Sequence, residues 1–189
     1  MLDRCFKVAK LIVCLTGLPG AGKSIIANGL KTKNFVVINM GDAVRAEAKR
    51  RNLEPTGTNL GKLMLELREK NGQGAVAELV KDQITNSKSG VVVIDGIRSN
   101  EEIQVLKKIT KVKVLAVNAT VDTRFKFLFD RGRSDDPKDR NEFEKRDSRE
   151  ISVGVSKSID LADETISNDK LTISELVDLA YKIIKNWIE

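Results

Sequence analysis

The chain contains no histidine. That absence removes Ser-His-Asp and Cys-His nucleophile systems and every histidine-ligated metal. Any proton transfer falls to Asp, Glu, Lys, Tyr, Cys or water. Cysteine is nearly absent as well: Cys5 and Cys14 are too few for a disulfide framework or a zinc site of their own. Cys14 stands in an apolar run and reads as a small core residue. No apolar run approaches the roughly 18 residues of a membrane span. The run at 11–15 is too short for a signal peptide, and a cytosolic location is expected. Repeats, low-complexity stretches and long linkers are also missing. Aromatic residues make up 4% of the chain. None is interleaved with the basic clusters Arg45, Lys49, Arg50, Arg51 and Lys107, Lys108, Lys111, Lys113, so no base-stacking platform is evident and nucleic acid is not an expected partner. The net charge of +6 then reads as solvated faces and attraction for small anions.

What is present suits one folded domain. The 189 residues are 41% hydrophobic and 32% charged, and a chain of this size buries about 70% of its unfolded surface. Residues 17–24 read Gly17-Leu18-Pro19-Gly20-Ala21-Gly22-Lys23-Ser24, a complete G-x-x-x-x-G-K-S phosphate loop. It follows the apolar run Leu11-Ile12-Val13-Cys14-Leu15 and precedes a helical pattern of Ile25, Ile26 and Leu30, which is the strand–loop–helix context the motif requires. Glycines let the backbone wrap phosphate oxygens closely. The amides of the loop and helix start then face the anion, helped by roughly half a positive charge from the helix dipole. Lys23 is expected to reach the β- and γ-phosphates of ATP, and the Ser24 hydroxyl to bind Mg²⁺.

Continuous apolar runs at 10–16, 34–39, 90–95 and 112–118, with a weaker one near 163–168, predict a parallel sheet covered on both faces. Helical patterns between them make the fold α/β. The second connection is long. It predicts a helix at about 42–51, a turn at Pro55-Thr56-Gly57, and two helices with stripes of Leu60, Leu63, Met64, Leu67 and of Val76, Leu79, Val80, Ile84. Residues 42–88 thus form a helical insertion. The last helix starts at a Thr172–Glu175 capping box, and its stripe of Leu176, Leu179, Ala180, Ile183, Ile184 and Trp187 reads as packing.

Asp95, at the tip of the third strand, reads as a magnesium ligand or as a turn former before Gly96. Arg98 places a guanidinium at the carboxyl end of the sheet, where ligands bind in open α/β folds. Asp42 and Arg45 share a helix face; Asp42 reads equally as helix cap and as catalytic carboxylate, and Arg45 as a phosphate grip. The charged segment from Arg131 and Arg133 to Arg146 and Arg149 reads either as a salt-bridged exposed helix or as a lid whose arginines close over a transferring phosphoryl group.

These residues resemble those of the nucleoside monophosphate kinases, and more closely an archaeal family of adenylate-kinase-related, dephospho-CoA-kinase-like proteins. The likeness covers nearly the whole chain: Met-Gly-Asp-x-Val-Arg at 40–45, Leu-Glu-Pro-Thr at 53–56, Leu-Glu-Leu-Arg-Glu at 65–69, Ile-Asp-Gly-Ile-Arg-Ser at 94–99, Arg-Gly-Arg-Ser-Asp-Asp-Pro at 131–137 and Arg-Asp-Ser-Arg-Glu at 146–150. The resemblance implies a five-stranded parallel sheet of order 2-3-1-4-5, an insertion that binds the acceptor, and a lid at 131–150. It gives Arg45 and Arg98 the acceptor phosphate, with Arg68 as a further acceptor-side candidate, and Arg131, Arg133, Arg146 and Arg149 the donor and transferring phosphates. Asn39-Met40 departs from the Ser/Thr-type pair that adenylate kinases place before the Gly-Asp.

The expected activity is transfer of the ATP γ-phosphoryl group to AMP or a related nucleotide, with Lys23, Arg98, Arg146 and Arg149 as the catalytic set and Ser24 and Asp95 on the metal. Transfer to a hydroxyl, as in dephospho-coenzyme A kinase, is the alternative, with Asp42 as base. A third reading is a non-catalytic nucleotide sensor or RNA-associated assembly protein.

Overall fold

The computed structural model describes residues 9–189; Cys5 lies outside them. Among the described residues, five strands form one sheet: β1 (Leu11–Thr16), β2 (Val36–Asn39), β3 (Val91–Ile97), β4 (Lys111–Asn118) and β5 (Glu164–Ser167). All pairings are parallel and the order is β2-β3-β1-β4-β5, as expected. Every residue of β1 is buried, because the pleat sends its side chains alternately to two covered faces. Ile12 and Cys14 join a core with the helical insertion. Leu11, Val13 and Leu15 join a second core with the first and last helices. Burial drives the Cys14 thiol pKa upward, so the sulfur is a packed, inert group.

The helices are α1 (Lys23–Thr32), α2 (Met40–Arg50), α3 (Gly57–Asn71), α4 (Ala75–Glu78), α5 (Lys81–Thr85), α6 (Asn100–Lys107), α7 (Val121–Arg131), α8 (Arg140–Val153), α9 (Val155–Asp160) and α10 (Ile173–Ile188). Among the described residues none is long and apolar enough to cross a membrane. The expected box at the start of α10 is complete, with Thr172 and Glu175 each accepting from the other's backbone amide.

Four details differ from expectation. The second stripe of the insertion is two short helices, α4 and α5, broken around Leu79 and Val80, although Val76, Val80 and Ile84 still reach the core. Leu179 is exposed, since the buried stripe of α10 is narrower than its apolar pattern. The cap of α2 is Asn39, whose side chain accepts from the Asp42 amide at 3.0 Å, so Asp42 is not the cap. Finally, β3 runs past Asp95 to Ile97. Leu15 pairs with Asp95 but Thr16 pairs with Ile97, leaving Gly96 in a bulge. That bulge sets the Asp95 and Arg98 positions at the carboxyl edge of the sheet.

Candidate phosphate-binding and transfer site

The phosphate loop is shaped by its glycines. Gly17 and Gly20 have φ of 137° and 83°, and a Cβ at either would run into the backbone of Val117 or of Arg124. Gly17, Pro19, Gly20 and Gly22 line the cleft with Lys23 and Ser24, while Ala21 packs into the core and, like Leu18, lies off the wall. Lys23 Nζ donates to the carbonyls of Gly17 (2.6 Å) and Leu18 (2.9 Å). Burial lowers its pKa to about 8, against the opposing pull of Asp95 and with a further push from Arg98. A half-buried ammonium resting on neutral carbonyls is a cation poised for a stronger, anionic partner.

Ser24 stands one residue into α1 and donates from its hydroxyl to Asp95 Oδ2 at 3.2 Å. The same oxygen accepts from Asn39 Nδ2 at 2.6 Å, because Asn39 pairs with Asp95 across β2 and β3. Asp95 is buried. A hydroxyl and a carboxylate oxygen in contact beside a phosphate cradle are hard oxygen donors, and they fit a Mg²⁺ ion shared with nucleotide phosphates. Nothing in the sequence marks Asn39 as a site residue beyond the Asn39-Met40 departure from the usual pair.

The rest of the wall is rich in arginine. Arg45, Arg98, Arg131, Arg133, Arg146 and Arg149 all line it, so with Lys23 there are seven basic side chains against the carboxylates of Asp95, Asp135 and Glu150. The segments expected to hold these residues do converge: Arg45 comes from α2, Arg98 from the end of β3, and the others from α7, α8 and the turn between them. Gly57, Leu60, Gly61 and Met64 of α3 provide the apolar side.

Acidic side chains hold several of the arginines. Arg45 donates to Asp135 at 3.2 Å and to Asp42 at 2.6 Å. Arg131 makes a two-pronged pair with Asp136, 2.8 Å at Nε. Arg146 donates to the Asp135 carbonyl (2.9 Å) and to Asp136 (3.3 Å), and burial lowers its pKa. Arg98 Nε donates to Glu150 at 2.5 Å. Burial alone would raise the Glu150 pKa, but Arg98, Arg146 and Arg149 overcome it and hold the carboxyl below its ordinary value, so it is an anion. Arg149 differs from these. No carboxylate pairs with it among the described residues; its Nε, like that of Arg146, is buried without a partner there, and its guanidinium lies so close to Gly61 that a side chain there would collide with it.

Two further sequence candidates lie off the wall. Asp42 has a side chain 69% exposed and turned to Arg45. Arg68 is buried and paired with Glu102 at 2.7 Å behind α3, which corrects the expectation that it faces the acceptor. Sequence reasoning also missed Arg124. Its guanidinium is buried, pairs with both Asp147 oxygens (2.7 and 2.6 Å) and donates to the Pro19 carbonyl at 3.2 Å, tying α7 and α8 to the phosphate loop.

Residues 16–144 match the AAA domain family. The chain is 38% identical to a UPF0200 protein of Hyperthermus butylicus over 175 residues, 93% of this chain and 94% of that one. It is also 38% identical to a UPF0200 protein of Pyrococcus horikoshii over 186 residues, 94% of this chain and 100% of that one. In fold it resembles TT1252 from Thermus thermophilus (TM-score 0.70, 16% identity, covering 96% of this chain and 99% of that one). It also resembles shikimate kinase from Acinetobacter baumannii in complex with shikimate (TM-score 0.57, 17% identity, covering 99% and 97%). The chain therefore belongs to the UPF0200 family of archaeal proteins, carries that AAA domain, and has a P-loop kinase-like fold.

Proposed function

We propose that this protein is an ATP-dependent phosphotransferase of the nucleoside monophosphate kinase type, and that it moves the γ-phosphoryl group to AMP or a closely related nucleotide. The observation that carries this reading is the charge of the cleft: seven basic side chains meet three carboxylates, and each carboxylate is already engaged. Asp95 is held by Ser24 and Asn39, Asp135 by Arg45, and Glu150 by Arg98. A phosphate acceptor is anionic at neutral pH and needs cations, not a base. A hydroxyl acceptor gains from a carboxylate free to take its proton, and Asp42, the candidate for that role, is exposed and turned to Arg45.

In this reading the loop amides and Lys23 hold the donor phosphates, while Ser24 and Asp95 hold Mg²⁺, which when bound neutralises charge on the phosphate oxygens. Arg45 and Arg98 orient the acceptor phosphate. Arg146 and Arg149 carry charge to the transferring group, and Arg131 and Arg133 support the donor. Phosphoryl transfer draws its rate from positioning and charge stabilisation, which this set of side chains supplies.

The two acceptor classes separate at one pair of substitutions. Asp42→Asn is expected to leave turnover with AMP within about twofold, as a surface change does. Arg98→Ala is expected to abolish it. Loss of activity in Asp42→Asn with retained nucleotide binding would instead favour a hydroxyl acceptor.

A further inference from the structure

Arg98 is fixed from two directions. Its side chain is held by Glu150 of α8. Its backbone is held by Glu102, the third residue of α6. Ser99 caps that helix by accepting from the Glu102 amide at 3.2 Å. In a capping box the third-position carboxylate would return to the amide of the cap residue. Here Glu102 Oε2 accepts from the Arg98 amide instead, at 2.8 Å, one residue earlier. Its other oxygen accepts from Arg68 Nη2 of α3 at 2.7 Å. Both side chains of this pair are almost wholly buried, at 2% and 0% exposure, and Arg68 Nε has no partner among the described residues.

A buried ion pair with an unsatisfied donor is poor value for stability, since well-packed apolar side chains of similar volume do as well or better. What it does supply is geometry. One carboxylate connects α3, whose Leu60, Gly61 and Met64 line the cleft, to the backbone of Arg98. We infer that Glu102 and Arg68 are positioning residues that hold Arg98 in register with the α3 wall before an acceptor phosphate arrives. Arg68 thus serves the acceptor side through Glu102 and Arg98, without touching the acceptor. The inference rests on the phosphate-acceptor reading for its consequence, but not for its geometry.

The test uses the paired variant Arg68→Met/Glu102→Leu, which leaves no lone buried charge, alongside Glu102→Gln. With AMP as acceptor, a misplacement on the order of 1 Å costs roughly 100-fold. The paired variant is therefore expected to raise the KM for AMP by about 10- to 100-fold, with the KM for ATP nearly unchanged. A purely structural role would lower the apparent kcat through the folded fraction and leave both KM values unchanged. The ligand-free protein supplies an independent readout by NMR: the Arg98 amide should exchange faster, and the Arg98 Nε–H resonance should shift, while Ile94 in β3 stays protected. If the Arg98 signals are unmoved, the inference is overturned whatever the enzyme does with AMP. If they move while wild-type protein transfers nothing to AMP, the acceptor reading falls and the positioning role stands.

Discussion

Nucleotide affinity should depend on pH through Lys23. Its ammonium rests on two carbonyl oxygens, and desolvation lowers its pKa to about 8. Since the folded value lies below the ordinary 10.5, the charged form costs stability below pH 8, and that cost fades as pH rises from 8 toward the unfolded value. Donor phosphates reverse the balance by giving the ammonium anionic partners, which raises its pKa again. Binding above pH 8 must then take up a proton: about half a proton at pH 8 and about nine-tenths at pH 9. The corresponding weakening between pH 7 and pH 9 is about tenfold in Kd, or about 1.4 kcal/mol. Isothermal titration of ATP in two buffers of different ionisation enthalpy reads both quantities. A Kd that is flat from pH 7 to pH 9, or proton release on binding, would refute this account of Lys23.

Other perturbations act on the arginines. Arg146→Ala or Arg149→Ala should lower turnover by about 10³-fold or more, as loss of an arginine acting on a transferring phosphoryl group does, with ATP affinity changed only severalfold; steady-state kinetics beside titration calorimetry separates the two. Asp135→Asn should release Arg45 and Arg146 from a competing carboxylate. An ion pair of this partly exposed kind is worth up to ~1 kcal/mol, so affinity for AMP should rise about fivefold. A weakened affinity there would show that Asp135 organises the site and does not compete for it.

Much of the fold was legible because its signals are local. The strands announced themselves as apolar runs between turn formers, and the glycine loop fixed the first strand and helix to each other. Boundaries moved where tertiary pairing decides: β3 continues beyond Asp95 only because Thr16 skips Gly96 and pairs with Ile97. The break between α4 and α5 escaped because Val76, Val80 and Ile84 keep a helical spacing and remain buried although the helix does not continue through them. The site divides similarly. Lys23, Ser24 and Asp95 follow from motif and strand position. Arg45, Arg98, Arg146 and Arg149 stand in the sequence as charges that a phosphate would match, and they meet in one cleft. Which arginine faces the cleft and which is buried behind it depends on partners far away in the chain. Arg68 finds Glu102 and Arg124 finds Asp147, and no short-range pattern encodes either. Asn39 shows the reverse case, a visible oddity whose meaning emerges only when β2 lies beside β3.

The central claim is that this cleft passes a phosphoryl group from ATP to a phosphate-bearing acceptor. The direct measurement is ADP release by a coupled assay with Mg²⁺ and ATP, run against AMP, CMP, UMP, GMP, the deoxynucleoside monophosphates and dephospho-coenzyme A, with the products identified. The account predicts acceptor-dependent turnover with AMP or a related monophosphate, yielding a nucleoside diphosphate, and none above background with dephospho-coenzyme A. Turnover with dephospho-coenzyme A alone, or ATP binding without acceptor-dependent ADP release from any of these, would contradict it.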